Sequence, residues 1–156
     1  MLLKKYSKLI LSLAFTFLAG LAGSIFTASE VPTWYSTLNK PSFNPPAWLF
    51  APVWTTLFIL MAISLYLVWS ANNKKSKMAV VVFVIHLFIN SFWSLAFFGW
   101  HNPLLAFCTI ILLWLAIIFL MIYFWRISKL SSLLLLPYIL WVSFASLLNF
   151  YILILN

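Results

Sequence analysis

A chain of 156 residues that is 66% hydrophobic and only 6% charged cannot clothe a water-soluble domain, because so few charged side chains would leave most of its exterior apolar. The net charge of +8 does not point to nucleic acid either. The basic residues stand in short clusters between apolar runs, the distribution of a membrane protein's loops rather than of a polyanion-binding face. The expectation is one all-α domain, residues 1–156, with the lipid bilayer as its surroundings.

The first apolar run, residues 9–28, follows Lys4, Lys5 and Lys8. It ends in small residues as a signal peptide would, but it is long enough to cross a bilayer, which takes ~20 residues, so a retained helix is expected. Ala19 and Gly23, and likewise Gly20 and Ser24, are small pairs four residues apart that let another helix approach closely. The second run covers 48–70 and ends in the polar, basic stretch "ANNKKSK". The third covers 78–100. "GWHNP" then makes a tight turn, with Pro103 suited to the first turn of the fourth run, 104–125. The fifth covers 133–155. These five runs predict a bundle of five transmembrane helices.

Sidedness follows from charge. Lys4, Lys5, Lys8, Lys74, Lys75, Lys77, Arg126 and Lys129 fall on one face and Lys40 alone on the other, which predicts a cytoplasmic amino terminus and an external carboxyl terminus. Cys108, within the fourth run, reads as a small core residue, since a buried apolar site keeps a thiol protonated.

The long loop, about residues 29–47, is then external, and its composition is unusual. It holds Pro32, Pro41, Pro45 and Pro46, with Trp34, Tyr35 and Phe43 between them. Each proline fixes φ and restricts its predecessor, so the loop loses little entropy when it closes over the helices as a lid. Pro46 suits the first helical position of the second span, and Pro52 predicts a kink or wide turn one turn later. Irregular backbone at membrane depth is tolerated where protein or a cavity covers it, so a pocket beneath the loop fits; the same residues also fit an interfacial aromatic belt with an ordinary proline start.

Helical spacing brings residues together within each span. Trp54, Phe58, Met61 and Leu65 share a stripe on the second, His86, Asn90, Trp93 and Phe97 on the third, and Trp141, Ala145 and Leu148 on the fifth with Asn149 beside it. Aromatic rows of this kind are more often packing surface than ligand site. The polar members change that balance, because an unpaired amide or imidazole deep in a span must face protein or a cavity. Asn149 is expected to make a helix–helix hydrogen bond.

The segments "VPTWYSTLNKPSFNPPAWLFAPVWTTLFILMAISLYLVW", "NSFWSLAFFG" and "LLLLPYILWVSFASLLNFYILILN" carry long motifs: W-Y-x-x-L-x-K-P-x-F-x-P-P-x-W, P-V-W-T, N-x-x-W-S and P-Y-x-x-W-V-x-F-A. Over nearly its whole length the chain resembles the tryptophan-rich sensory protein and translocator protein (peripheral benzodiazepine receptor) family. That resemblance implies a five-helix bundle, often a homodimer, in the plasma membrane of a bacterium. It implies a pocket under the first loop that binds porphyrins and benzodiazepine- or isoquinoline-carboxamide-type ligands.

Carried over residue by residue, the implied ligand-binding positions are Tyr35, Pro45, Trp54, Phe58, Asn90, Trp93, Trp141, Ala145 and Leu148, with Trp34 completing the lid. His86 joins them as a departure, standing where the family often has Gln. The chain ends without the basic extension of the animal sterol motif, so sterol binding is not predicted.

The resemblance implies control of tetrapyrrole levels, with protoporphyrin IX as ligand or substrate and no required cofactor. Conventional catalysis lacks its parts, since Glu30 is the sole side-chain carboxylate. Photo-oxidation of a bound porphyrin would need electron-rich indoles, for which Trp54 and Trp141 are placed. Transport of porphyrins or other small apolar molecules is the alternative. Lys40, near the external mouth, could meet a ligand carboxylate. His86, His101 and Cys108 invite a haem-ligand reading, but a lone histidine within a span is more often hydrogen-bonded, and no metal site is expected.

Overall fold

The computed structural model describes residues 2–71 and 73–156, with side chains from Tyr6 onward, so the side chains of Lys4 and Lys5 lie outside the described set. Five helices long and apolar enough to cross a membrane account for nearly all of it: Tyr6–Glu30, Ala47–Ser70, Ser76–Gly99, Pro103–Trp125 and Lys129–Leu155. In finer detail α1 is Leu2–Glu30, α2 the short Trp34–Thr37 in the loop, α3 Phe50–Ser70, α4 Ser76–Ser94, α5 Pro103–Trp125, α6 Lys129–Leu133 and α7 Leu136–Leu155. The predicted spans are all present, each with a shifted boundary.

Two starts follow from local chemistry. Asn102 caps α5, its side-chain oxygen accepting from the Leu105 backbone N–H at 2.9 Å, and Pro103 follows at a position where no N–H is needed. Ser128 caps α6 in the same way through the Ser131 N–H.

The prolines behave differently from expectation. Pro46 is extended (φ −63°, ψ 144°) and precedes a 3-10 turn, Ala47–Leu49, rather than opening a helix. Pro52 does not kink α3, because it is the third residue of that helix, where the missing N–H is among those that find no helical partner anyway. The wide turn falls elsewhere: Leu95–Gly99 is a π-turn at the end of the third span, closed by Trp100 N–H to Leu95 O at 2.8 Å. No Pro or Gly pattern in the sequence announces it.

α1 packs on α3 and α4, α5 on α4 and α7, and α6 on α3. Close approach of α1 is made at its glycines: a Cβ on Gly20 would stand 2.6 Å from Cε2 of Phe58, and one on Gly23 would stand 3.0 Å from Oγ of Ser94. Beside them Ser91 donates to the Ala19 carbonyl at 3.0 Å. The half of the bundle away from the loop is solid, with Met61, Leu65, Phe83, Ile117, Leu120, Phe124 and Tyr138 fully buried. There Ser64 and Ser131 each donate to the other's backbone carbonyl, at 2.8 and 2.6 Å, tying α3 to α6 without leaving a hydroxyl unpaired.

Many apolar side chains point outward, as lipid-facing surfaces require; Phe88 and Leu140 are about 70% exposed. Cys108 is among the exposed residues, not in the core. Its predicted position was wrong because α5 is apolar all round, and composition alone does not say which side faces neighbouring helices.

Candidate functional site

The loop is held shut by polar groups at both ends. Tyr35 of α2 is only 4% exposed, and its hydroxyl donates to Asn44 Oδ1 at 2.6 Å. Lys40 Nζ donates to the carbonyls of Tyr35, Leu38 and Ser36 at 2.7, 2.8 and 3.2 Å and lies 5.0 Å from the Tyr35 ring centroid. It therefore serves as a cap for α2, whose last carbonyls have no helical partner, rather than as a free cation awaiting a ligand carboxylate. Asn39 and Asn156 exchange hydrogen bonds of 2.9 and 3.0 Å, fastening the loop to the end of α7. At the other end Trp34 stacks on His101 with ring centroids 4.3 Å apart, and His101 Nε2 meets Glu30 Oε2 at 3.0 Å.

Under this lid lies a cavity of about 520 Å³. α1 supplies Gly20, Gly23 and Thr27, α3 supplies Trp54 and Phe58, the third span supplies Asn90, Trp93, Phe97 and Phe98, and α7 supplies Trp141, Ala145 and Leu148; Tyr35 and Phe50 close the top. The wall also includes Leu21 and Ser24 of α1 and Ala51 and Thr55 of α3, which are exposed on the outside of the bundle. The cavity thus opens sideways between α1 and α3.

Eight of the eleven predicted residues share this wall: Tyr35, Trp54, Phe58, Asn90, Trp93, Trp141, Ala145 and Leu148. Three do not. Trp34 packs against Phe97, Phe98 and His101 and Pro45 is half-buried in the loop, neither of them on the wall, and His86 lies behind it, 1% exposed, with Nδ1 2.9 Å from the Phe83 carbonyl and Nε2 3.1 Å from the Tyr138 hydroxyl. His86 misses the cavity because it is one helical turn deeper than Asn90, and at that level Tyr138 fills the space between the helices. For the same reason Met61 and Leu65 are core while Trp54 and Phe58, on the same stripe, are wall.

Several wall members, Phe98, Gly20 and Gly23 among them, were not foreseen as ligand-facing. Phe98 is brought beside Phe97, centroids 4.8 Å apart, by the π-turn, which adds a residue to the helical repeat. Gly20 and Gly23 were legible as sites of close helix approach, and the cavity reuses the space that approach leaves.

The polar groups of the wall are mostly paired with protein. Trp93 Nε1 donates to Asn149 Oδ1 at 3.0 Å and Asn149 Nδ2 to the Pro103 carbonyl at 3.1 Å, the helix–helix bridge expected of Asn149. Asn90 Nδ2 donates to the Tyr138 hydroxyl at 2.9 Å. Trp141 Nε1 is a fully buried donor without a partner. Among the described residues the wall contains no Asp, Glu, Lys, Arg or His, so it is equipped to hold an apolar molecule and orient it by hydrogen bonds. His86, His101 and Cys108 stand apart, in the buried core, in the exposed turn and on the outer surface of α5.

Burial raises the Tyr35 hydroxyl to about pH 12, against an ordinary value of 10.0. A raised value means that the folded lid holds the proton more tightly than the unfolded chain, so the lid's stability is complete below pH 10 and falls as pH rises toward 12. Tyrosinate absorbance is therefore expected to show a tyrosine titrating near pH 12 that is absent from Tyr35→Phe.

The TspO/MBR family matches residues 12–155 of the chain. The chain is 48% identical to the tryptophan-rich protein TspO of Chlorobaculum tepidum over 98% of both chains. It is 45% identical to the protein of the same name from Archaeoglobus fulgidus, over 96% of this chain and 97% of that one. The translocator protein of Homo sapiens is 34% identical over 82% of this chain and 78% of its own. With five membrane-crossing helices and similarity running almost from end to end, this chain is an integral membrane protein that belongs to the TspO/MBR family.

Proposed function

We propose that the lidded cavity binds a flat, largely apolar ring system of the porphyrin class, and that the protein acts as a membrane sensor or regulator of tetrapyrrole levels. The observation that carries this reading is the combination of a 520 Å³ apolar cavity with aromatic walls and the unpartnered Trp141 N–H. Stacked indole faces suit an extended ring, and a buried indole N–H suits an acceptor on its rim. Benzodiazepine- and isoquinoline-carboxamide-type molecules, which are also apolar rings bearing a carbonyl, fit the same description and should compete. Titration with protoporphyrin IX should quench the tryptophan fluorescence saturably, and a carboxamide ligand should reverse it. A folded protein that shows neither effect overturns the reading.

A second reading is favoured by Trp54 and Trp141 both facing the cavity. Light-excited protoporphyrin IX can exchange an electron with an adjacent indole, and dioxygen, the oxidant, can then add across a carbon–carbon bond of the ring and cleave it to two carbonyls, so the bound porphyrin would be degraded in light. Replacing both tryptophans by Phe should then slow the light-dependent loss of porphyrin absorbance while leaving binding measurable. Passage of apolar molecules is a third reading, supported by the sideways opening between α1 and α3. Release from loaded protein into vesicles tests it.

A further inference from the structure

His86 and Tyr138 are fully buried, lie outside the cavity and are not used by the binding site described above. Their hydrogen bonds nevertheless run to its wall. His86 Nδ1 lies 2.9 Å from the Phe83 carbonyl, which can only accept, so Nδ1 carries a proton. A doubly protonated ring would be a buried cation inside a span, and the only side-chain carboxylate of the chain, Glu30, is engaged with His101 at the loop end. The ring is therefore neutral, and Nε2 is an acceptor. The Tyr138 hydroxyl, 3.1 Å away, donates to it. Having given its proton to His86, the Tyr138 oxygen is left to accept, and it does so from Asn90 at 2.9 Å.

This chain settles which way round the Asn90 amide stands. Oxygen and nitrogen of an amide are told apart by their partners, and here the partner demands the NH₂ group. The amide oxygen is turned away from Tyr138, and Asn90 is a wall residue of the cavity.

We propose that His86, acting through Tyr138, is a specificity-determining positioning residue: it holds Asn90 with its carbonyl oxygen toward the cavity, so that the inner wall selects ligands carrying an N–H donor. The inference rests on the cavity being a ligand site, and it adds the polarity that the ligand must have there. Trp141 offers a donor and Asn90 an acceptor, so a preferred ligand is an apolar ring system with an acceptor at one place and a ring N–H at another.

The probes are carbazole and N-methylcarbazole, flat apolar molecules that differ in one N–H, titrated into the purified full-length protein in lipid nanodiscs. The wild type should favour carbazole by about 2- to 13-fold, the equivalent of roughly 0.5–1.5 kcal/mol for one neutral hydrogen bond. Tyr138→Phe frees the Asn90 amide to turn. His86→Leu leaves the Tyr138 hydroxyl free to donate to Asn90 instead, presenting NH₂ to the cavity. Both variants should lose the preference, and His86→Leu should reverse it. A purely packing role would weaken both probes alike and leave their ratio unchanged, which overturns the proposal, as does a wild type without preference.

The ¹⁵N spectrum of the His86 ring provides a measurement free of ligand and of variants that fail to fold. The proton should reside on Nδ1, with Nε2 bare; a proton on Nε2 overturns the relay. If neither carbazole binds while protoporphyrin IX does, the inner wall lacks the stated preference and the proposal is overturned; if protoporphyrin IX does not bind either, the ligand-site reading fails, and the ring spectrum still judges the relay by itself.

Discussion

Tyr138→Ala is expected to lower the stability of the bundle by about 3–5 kcal/mol, the cost typical of deleting a buried aromatic ring. Tyr138 is fully buried in the core shared by the spans, and its ring lies 5.5 Å from His86 and 6.3 Å from Trp54, centroid to centroid. The loss has two sources. Removing the ring opens a void in the part of the bundle that is otherwise solid, and removing the hydroxyl leaves His86 Nε2 and Asn90 Nδ2 without partners. Tyr138→Phe isolates the second source and should cost about 1–3 kcal/mol. Reversible unfolding in mixed detergent micelles, followed by circular dichroism, measures both. Equal effects of the two variants would show that polar pairing, not packing, makes this tyrosine important.

Gly20→Val is expected to damage the cavity itself. A Cβ at this position stands 2.6 Å from Phe58 Cε2 and 3.0 Å from Cδ2, distances at which something must move. Phe58 is packed beside Trp54, with centroids 5.7 Å apart, so the ring can yield toward the cavity or α1 must separate from α3. Overpacking of this kind costs about 1–3 kcal/mol. Either movement also changes the space available to a ligand, so protoporphyrin IX should bind at least ~10-fold more weakly, a loss of about 1.4 kcal/mol. Gly23→Ala is a milder change on the same wall. Its Cβ would meet the Ser94 side chain at 3.0 Å, and the gain in helix propensity of up to ~1 kcal/mol offsets the small adjustment required. Quenching titrations and thermal unfolding on both variants distinguish a site effect from general destabilisation; unchanged binding in Gly20→Val would show that Phe58 does not shape the ligand's space.

The stiffness of the loop is explained by the same geometry. Pro41 and Pro45 leave the residues before them, Lys40 and Asn44, with few conformations to lose, and these two then pair with Tyr35 and with the backbone beside them. The lid therefore closes by internal hydrogen bonds, with Asn39 and Asn156 fastening it to α7. Lys40 shows why a charge read from sequence can mislead. A lone cation near a mouth invites a ligand carboxylate, yet three carbonyls of its own loop lie closer and take all its donors.

Composition and hydropathy determined by themselves that the chain is a bundle of five membrane helices, because a segment of ~20 apolar residues in lipid has to satisfy its own backbone and becomes helical. Helical periodicity brought Trp54 with Phe58, and Asn90 with Trp93 and Phe97, onto common stripes, since side-chain direction along a regular helix depends on spacing alone. Where each stripe passes from cavity wall to packed core depends on what stands opposite, and that is a property of neighbouring helices. Tertiary structure alone placed His86 behind Tyr138, turned Cys108 outward, moved the backbone irregularity from Pro52 to the π-turn at Leu95–Gly99, and left Trp141 with a buried, unpaired N–H in the cavity wall. A periodic pattern defines one face of a helix; only the packing of several helices decides whether that face meets a side chain, a lipid or a space.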